Sequence, residues 1–385
     1  MSIIYFDNAA TSWPKPPEVS AAMQKFMRKI AANPGRSGHR LSVEAARVIY
    51  DTREKLAQLF NITDPLQIVM AKNATEGLNI AIFGLLKSGD HVITSSMEHN
   101  SVMRPLRVME RRGVELTVIP CDREGLIDPA HVNGVVKKNT RAIFLTHASN
   151  VTGTVMPIVD IGRIARERGL VFCVDAAQTA GSYPIDVEEM NIDVLAFTGH
   201  KSLFGPSGTG GLYIREGLDN EIEPFCIGGT GSRSEVEEQP DFMPDRYEAG
   251  TPNTVGIAGL QAGVDFVLFK GVDQIKRQEA LLVKMFIEGL KSMPGIILYG
   301  HDSVDQRTPV VSFNIEGTDP AEIALQLDER FKIMSRSGIH CAPSAHKTIG
   351  TYPHGTVRFS FSYFNTEEQI IKALDVLNKI SKRRT

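Results

Sequence analysis

Between about residue 67 and residue 214, short apolar runs alternate with segments of helical periodicity. Strands that are apolar throughout and alternate with helices are typical of a mostly parallel sheet covered on both faces. The apolar runs predict strands at 67–71, 91–94, 114–119, 141–146, 170–174, 193–197 and 210–214. The periodic segments predict helices at 75–86, 101–112, 129–136 and 157–168. We therefore expect an α/β fold built on a mostly parallel, seven-stranded sheet.

The pattern changes after about residue 257, where long helices are mixed with isolated strands. Helices are predicted at 259–293, 320–331 and 367–380, and strands at 310–313 and 356–361. A chain of 385 residues also exceeds one average domain. We expect a large domain at 17–256 and a smaller α+β domain formed by 1–16 and 257–385.

The charges and the cysteines argue against several classes of protein. The net charge is −3 and the charges are interspersed, so no basic field would attract nucleic acid or an anionic membrane. The N-terminus lacks a secretory-signal pattern, and no apolar run approaches the roughly 18 residues of a membrane span. The four cysteines lie far apart without a CxxC pair, unlike a disulfide framework. A reducing, cytoplasmic location is therefore expected.

A lysine and an aspartate follow successive predicted strands, where open α/β sheets bind ligands. Asp175 directly follows the run 170–174, and Lys201 lies just past the run 193–197, beside a histidine and a glycine. A partly desolvated lysine can lose its proton near neutral pH and form a Schiff base. A carboxylate can keep a pyridine nitrogen protonated, which makes the ring an electron sink. Taken alone, Lys201 could be a surface lysine and Asp175 could cap a helix. Taken together, the two residues favour a site for pyridoxal phosphate (PLP).

Other polar side chains also follow buried strands. The segment 73–76 opens a helix whose free N–H groups, with the Thr75 hydroxyl, suit a phosphate; a plain N-cap is the alternative. His99 could lie flat on a planar ring or simply mark the entry to a helix. Asn150 and Gln178 could reach a phenolic oxygen of such a ring, although the turn after Asn150 also fits a purely structural role.

The C-terminal part contains a candidate nucleophile and a candidate anion site. Residues 336–341 are predicted to form a turn-prone loop that we expect to be exposed, and in it Cys341 follows His340, where a thiolate can form. His340 is a candidate for positioning or deprotonating a thiol. Arg358 lies in an apolar strand, where burial is costly unless it faces an anion such as a substrate carboxylate. The alternative is a surface position on an edge strand. The histidines near Cys341 lack zinc-site spacing, and the glycine-rich segment 228–232 lacks a P-loop ending.

Nine short segments match one known family, in order and over nearly the whole length. They are 5–11, 73–76, 98–100, 149–150, 174–178, 198–201, 247–253, 336–341 and 358–365. On these segments the chain resembles the class V aminotransferase-fold PLP enzymes, and among them the cysteine desulfurases. The resemblance implies the fold of PLP enzymes of fold type I, with a large cofactor-binding domain and a smaller C-terminal domain.

The resemblance implies a role for each matching position around the cofactor. Lys201 would hold PLP, Asp175 would pair with the ring nitrogen, and His99 would stack on the ring. Asn150 and Gln178 would address the ring oxygen. The phosphate would be anchored by Ala74, Thr75, Thr198 and His200, with Thr251 reaching in from a partner subunit. The last role implies an obligate homodimer.

The resemblance also assigns the substrate-binding residues. Arg358 would bind the substrate carboxylate, and Cys341 would accept sulfur. Asn150, His39 and Arg336 would complete the substrate site.

Parts of the chain are similar to one subgroup of desulfurases. The segment 248–253, the short interval from Cys341 to Arg358 and Gly38-His39 resemble group II, which includes selenocysteine-lyase-like members. The segment 228–245 and the residues after Cys341 depart from that group. The resemblance therefore leaves the sulfur acceptor and the preferred substrate open.

Together these features predict an enzyme, a PLP-dependent cysteine desulfurase that converts L-cysteine to L-alanine and holds the sulfur as a persulfide on Cys341. A selenocysteine lyase would share every residue named above. A class V aminotransferase or epimerase-like enzyme would not use Cys341, and a PLP-fold binding protein would use none of the chemistry. The expected partners are L-cysteine or L-selenocysteine, a second subunit and a protein sulfur acceptor; metal, nucleic acid and membrane are not expected.

Overall fold

The computed structural model describes residues 3–35 and 38–382, so residues 1–2 and 383–385 of the predicted small domain lie outside it. The strands are β1 (Ile4–Tyr5), β2 (Ile68–Ala71), β3 (His91–Ser95), β4 (Glu115–Ile119), β5 (Thr140–Thr146), β6 (Val171–Asp175), β7 (Val194–Thr198), β8 (Gly210–Ile214), β9 (Ile296–Tyr299), β10 (Val310–Ile315), β11 (Ile333–Met334), β12 (Arg336–Gly338) and β13 (Thr356–Ser360). The helices are α1 (Pro17–Lys29), α2 (Arg40–Phe60), α3 (Ala74–Leu85), α4 (Asn100–Arg111), α5 (Pro129–Gly134), α6 (Ile158–Arg168), α7 (Thr254–Lys270), α8 (Val272–Lys291), α9 (Pro320–Phe331), α10 (Pro343–Thr348) and α11 (Glu367–Lys382).

The seven predicted strands of the large sheet are confirmed. They lie in the order β2-β8-β7-β6-β5-β3-β4, and only β8 runs antiparallel to its two neighbours. Every residue of β3, β6, β7 and β8 is buried. The carboxyl ends of β3, β5, β6 and β7 therefore meet along one edge of the sheet.

Two hydrophobic cores cover the faces of this sheet. Ile143 and Leu145 of β5 lie in one core, whereas the alternate residues Ala142 and Phe144 lie in the other. Successive side chains of a strand point to opposite faces, so a strand that is apolar throughout can fill both cores. Burying a side chain as large as Phe144 contributes about 1.5–3 kcal/mol. This is why the apolar runs could be recognised as central strands.

A second, antiparallel sheet is formed by the C-terminal part of the chain in the order β12-β13-β10-β9. It packs on a core that contains the aromatic rings of Phe6, Phe286, Phe313, Phe359 and Phe361. The N-terminal strand β1 pairs in parallel with β11, which brings the first residues of the chain beside this core. The domain boundaries at residues 16 and 257 stay a prediction.

One predicted helix is wrong. The segment 259–293 is not continuous: α7 and α8 meet at Gly271 with a bend of 82°. Gly271 has a φ of +81°, a backbone conformation that glycine adopts without steric cost and that ends an α-helix. A single glycine between two apolar, helix-forming segments is a weak signal, because helices tolerate isolated glycines.

The prediction of a loop at 336–341 is also wrong in part. Residues Arg336–Gly338 form the short strand β12, in which Arg336 lies opposite Arg358 of β13. A strand of three residues is too short to show alternation in the sequence. The helices α1 and α2 add to the predicted series.

Among the described residues, no single helix combines the length and apolar character of a membrane span. The pair α7 and α8 reaches both only when taken together across its bend.

Candidate active site

Side chains from both parts of the chain line one cavity of about 250 Å³ at the carboxyl edge of the large sheet. We call it the lysine cavity. Its lining includes the predicted site residues Ala74, Thr75, His99, Asn150, Asp175, Gln178, Thr198, His200, Lys201, Arg336 and Arg358. Most of these residues follow strands of the large sheet whose carboxyl ends share an edge, whereas Arg336 and Arg358 come from the small sheet. Cys341, His39 and Thr251 are not among the lining residues.

Lys201 and Asp175 follow neighbouring parallel strands and lie in the same cavity. Burial lowers the pKa of Lys201 to about 8, against the opposing effect of the Asp175 charge. Burial raises the pKa of Asp175, while the backbone N–H of Ala177, at 2.9 Å from Oδ1, and the Lys201 charge favour its ionised form. The arrangement provides an amine that can become neutral near physiological pH beside a buried acidic group.

The N-terminus of α3 and two buried polar atoms form a site suited to an anion. Asn73 caps α3 through Oδ1, which accepts a hydrogen bond from the Glu76 N–H at 3.0 Å. Thr75 Oγ1 lies 2.7 Å from Ser101 Oγ. Within the described part of the chain, the buried atoms Thr198 Oγ1 and His200 Nδ1 have no hydrogen-bond partner. Buried polar atoms are rarely left without a partner, so a bound phosphate oxygen would satisfy them.

His99 caps helix α4 and also lines the lysine cavity. Its Nδ1 accepts a hydrogen bond from the backbone N–H of Ser101 at 3.1 Å. Burial, followed by the charge of Lys201, lowers the pKa of His99 to about 4. The imidazole is therefore neutral at pH 7, and the helix-entry and ring-stacking interpretations are compatible.

Asn150 connects the turn after β5 with residues 339–342, which join β12 to α10 and which we call the Cys341 loop. Its Nδ2 donates to the carbonyl oxygen of His340 at 2.7 Å, and its own carbonyl oxygen accepts from Arg358 Nη1 at 3.0 Å. Gln178 Nε2 donates to the carbonyl oxygen of Ala9 at 3.2 Å. Both side chains line the lysine cavity and are held there by backbone atoms distant in sequence.

Arg358 is buried, as expected for an arginine that faces an anion, and only 1% of its surface is exposed. The anion in this chain is Asp7, whose Oδ1 accepts from Arg358 Nη2 at 2.7 Å. Arg358 Nε has no partner among the described residues. Burial lowers the pKa of Arg358, and the Asp7 charge opposes that shift. The alternative of a surface arginine is wrong.

Asp7 is a residue that the sequence reasoning missed. It lies in a matching segment, but no local pattern links it to an arginine 351 positions away. The parallel bridge between Asp7 and Ser360, next to the pairing of β1 with β11, brings the two together.

Cys341 lies in an exposed position between β12 and α10, as predicted. Its Sγ lies 3.6 Å from Arg336 Nη2, and its carbonyl oxygen accepts from the N–H of Asn100 at 2.9 Å. His340 and Cys341 both have positive φ values, +49° and +59°. Non-glycine residues adopt this conformation at a cost of about 1 kcal/mol or more each, and such strain concentrates at functional sites.

The structure does not favour His340 as a base for the Cys341 thiol. It is buried, and its Nε2 lies 3.1 Å from Thr356 Oγ1, whereas Nδ1 has no partner among the described residues. Burial, followed by the charge of Arg358, lowers the pKa of His340 well below its ordinary value. The neutral ring therefore packs inside the protein and does not contact the thiol. The basic group in contact with the thiol is Arg336.

Glu98 is a second residue to which sequence reasoning gave no role. It is fully buried, and its Oε1 accepts from Ser95 Oγ at 2.6 Å and from the Thr146 N–H at 3.1 Å. Burial, with a smaller contribution from the Asp175 charge and against the two hydrogen bonds, raises the pKa of Glu98 to about 8. A largely neutral Glu98 therefore ties the end of β3 to the end of β5, directly before His99.

His39 and Thr251 lie outside the lysine cavity. His39 is exposed and caps α2, with Nδ1 accepting from the Ser42 N–H at 3.2 Å. Thr251 lines a separate cavity of about 530 Å³, and its Oγ1 lies 3.5 Å from Asn33 Nδ2. The role predicted for Thr251 requires a partner subunit, so both roles stay predictions.

The profile of the family described as aminotransferase class V matches residues 4–373. A probable cysteine desulfurase of Methanothermobacter thermautotrophicus is 37% identical, over 98% of this chain and 94% of the relative. One of Pyrococcus abyssi is 38% identical, over 99% and 94%. The solved apo structure of a cysteine desulfurase from Thermococcus onnurineus is similar with a TM-score of 0.91 and 37% identity, over 99% of this chain and 95% of that one.

Proposed function

The chain belongs to the class V aminotransferase family, together with these cysteine desulfurases, and we propose that it is itself a PLP-dependent cysteine desulfurase. It would convert L-cysteine to L-alanine and hold the sulfur as a persulfide on Cys341. The observation that carries the proposal is the shared cavity of Lys201, Asp175 and Arg358, with the exposed Cys341 thiol on the adjoining loop.

The residues of the lysine cavity fit PLP. The unpartnered Thr198 Oγ1 and His200 Nδ1, with Thr75 and the N–H groups at the start of α3, would hold the phosphate. Lys201 Nζ would hold the cofactor covalently, and Asp175 would keep the ring nitrogen protonated. His99 would lie on the ring, and Asn150 and Gln178 would address the ring oxygen. In a homodimer, Thr251 of the partner would complete the phosphate site.

The electrostatics of Lys201 suit a general base. When bound, PLP draws electrons away from the Cα of an attached amino acid and makes its proton acidic. With its pKa lowered to about 8, Lys201 is neutral in a sizeable fraction of molecules at physiological pH. The neutral Nζ can then take the Cα proton of the substrate and return a proton to the product.

Two arginines would bind the substrate carboxylate. Arg336 and Arg358 lie opposite each other in β12 and β13, so their side chains project from the same face of the small sheet. Two adjacent cations repel each other unless an anion joins them. Asp7 supplies one charge and orients Arg358, and the substrate carboxylate would supply the second.

Cys341 would take the sulfur without an external oxidant. The Cys341 thiolate attacks the substrate Sγ, a new S–S bond forms, and the Cβ–Sγ bond breaks with its electron pair remaining on carbon. Cysteine and the enzyme thiol thus become alanine and an enzyme persulfide, with all atoms accounted for. Arg336 Nη2, at 3.6 Å from Cys341 Sγ, donates a hydrogen bond to this sulfur.

The test is the substitution Cys341→Ser, with Cys226→Ser as the matched control because Cys226 is also an exposed free cysteine. The Cys341→Ser protein is expected to bind PLP with unchanged absorbance but to form neither alanine nor a persulfide from L-cysteine. Cys226→Ser should behave like the wild type. Unchanged alanine formation by Cys341→Ser would falsify the role of this thiol, and keto acid or racemised product in place of alanine would favour an aminotransferase or epimerase.

The same assay, run with L-selenocysteine beside L-cysteine, separates a desulfurase from a selenocysteine lyase. The relatives described above carry the name probable cysteine desulfurase, so we expect the larger kcat/KM for L-cysteine.

A further inference from the structure

An open groove of about 420 Å³ lies beside Cys341, between helices α4 and α10. We call it the basic groove; its exposed lining side chains are Arg104, Arg107, Arg111 and Lys347. Helix α10 begins two residues after Cys341, and the first N–H of α4, that of Asn100, donates to the Cys341 carbonyl oxygen at 2.9 Å. The groove is therefore attached to the loop that would carry the sulfur.

The basic residues of this groove form a concentrated positive patch. Arg104, Arg107 and Arg111 lie three to four residues apart along α4, which places them on one face of the helix. Arg107 pairs with Glu110 at 2.9 Å. Within residues 3–35 and 38–382, Arg104, Arg111 and Lys347 make no ion pair. The whole chain has a net charge of −3, so this patch is a local exception rather than part of a basic surface.

The floor of the basic groove is apolar. Met103 is buried, and Val108 and Pro343 are half-buried, between the exposed cations. A groove with an apolar floor and a cationic rim matches a protein segment that carries both apolar and acidic side chains. None of the described residues that line it is aromatic; the exposed ring of Tyr352 lies beside the groove, 5.1 Å from Lys347 Nζ, and one ring is fewer than the series of stacking rings typical of single-strand binding sites.

We propose that the basic groove docks an acidic protein whose cysteine takes the sulfur from Cys341. The inference rests on the proposed function, because it requires a persulfide at Cys341. The acceptor thiolate attacks the outer sulfur of that persulfide, the S–S bond breaks, and its electron pair leaves on Cys341 Sγ. The sulfur and its proton pass to the acceptor, and Cys341 returns as a thiolate beside Arg336. No oxidant or reductant is consumed.

The experiment uses the PLP-loaded enzyme, L-cysteine and three synthetic peptides, each with one cysteine flanked by glutamates, glutamines or lysines. The rate of peptide persulfide formation is measured by mass spectrometry at low and high salt. We expect the acidic peptide to react about tenfold faster than the neutral one at low salt, and the lysine peptide more slowly than both. The advantage of the acidic peptide should disappear at high salt.

The double substitution Arg111→Glu/Lys347→Glu cancels the positive charge of the four lining cations without touching the lysine cavity. It should remove the advantage of the acidic peptide over the neutral and lysine peptides, while alanine formation with dithiothreitol as acceptor stays within about twofold of the wild type. Lys138→Glu is the matched control, because Lys138 is exposed and lies at the amino end of β5, on the opposite edge of the sheet. It should change neither rate.

Three outcomes would overturn the docking. The first is equal rates for the three peptides, and the second is an equal effect of Lys138→Glu. The third is tight binding of single-stranded oligouridylate that is lost in the double variant, which would assign the groove to nucleic acid. Normal alanine formation with no charge preference refutes the docking alone, whereas no alanine with dithiothreitol refutes the proposed function and the docking with it.

Discussion

The lysine cavity and the Cys341 loop are built in opposite ways. Lys201 and Asp175 extend from neighbouring strands whose residues are all buried, and burial shifts the pKa of both groups. Cys341 is exposed and lies on a strained loop, with an arginine as its side-chain contact. Proton transfer needs pKa values tuned in a dry, rigid pocket, whereas passing an atom to another protein needs a surface. Under the proposed function, proton transfer would take place in the buried cavity and sulfur transfer at the surface.

Arg358 joins the two regions. It belongs to the small sheet, lines the lysine cavity, and contacts Asn150 in the turn after β5 and Asp7 of the N-terminal segment. The ion pair between Arg358 and Asp7 therefore links the two regions, and it can be removed without changing Lys201 or Cys341.

The substitution Lys201→Ala is expected to have the largest effect, and it separates the two regions most cleanly. Cysteine turnover should fall by about a thousandfold or more, because the variant would lack both the proposed covalent link to the cofactor and the proposed general base. Alkylation of Cys341 by iodoacetamide should keep its rate, because that thiol is exposed and its neighbour Arg336 is unchanged. Alanine formation and mass-spectrometric labelling are the two measurements, with Lys138→Ala as the control. A large change in the labelling rate would show that the two regions are not independent.

The substitution Asp7→Asn tests the bridge between them. The amide keeps the shape of the carboxylate but removes the charge that holds Arg358, so the carboxylate site should be less well oriented. We expect KM for L-cysteine to rise about tenfold, which corresponds to a charged hydrogen bond, while kcat stays within about twofold. Steady-state kinetics at several cysteine concentrations measures both, and Glu18→Gln on the exposed surface of α1 serves as the control. An unchanged or lower KM would contradict the positioning role of Asp7.

The substitution Glu98→Gln has the smallest expected effect and tests the rigid side of the contrast. The pKa of Glu98 is raised by burial to about 8 in the folded protein, from 4.5. Stability from this group is thus complete below pH 4.5 and is lost progressively as pH rises to about 8. The glutamine stays neutral, so the loss of unfolding free energy between pH 6 and pH 8 should be smaller than in the wild type by about 1–2 kcal/mol. Urea unfolding at pH 6 and pH 8 measures the unfolding free energy of each protein. An identical change in unfolding free energy between the two pH values for the wild type and the variant would show that Glu98 is already ionised at pH 6.

The large sheet and the edge that carries the lysine cavity were predictable because both follow from patterns among neighbouring residues. The run 170–174 is apolar because its side chains fill two cores, and that requirement is visible residue by residue. The end of each run marks where Asp175 and Lys201 emerge, and parallel strands bring those ends together. The break at Gly271 and the strand at Arg336–Gly338 were missed because the local sequence there is compatible with either conformation.

The sequence by itself determined the alternation of strands and helices, and it predicted the candidate reacting groups and an arginine in β13 that would face an anion. Only the tertiary structure decided which anion that arginine faces, which side chain contacts Cys341, and that the basic residues of α4 and α10 form one groove beside it. The physical reason is that burial and periodicity are properties of neighbouring residues, whereas these contacts join segments as far apart as residues 7 and 358. Their geometry exists only once the two sheets have packed together.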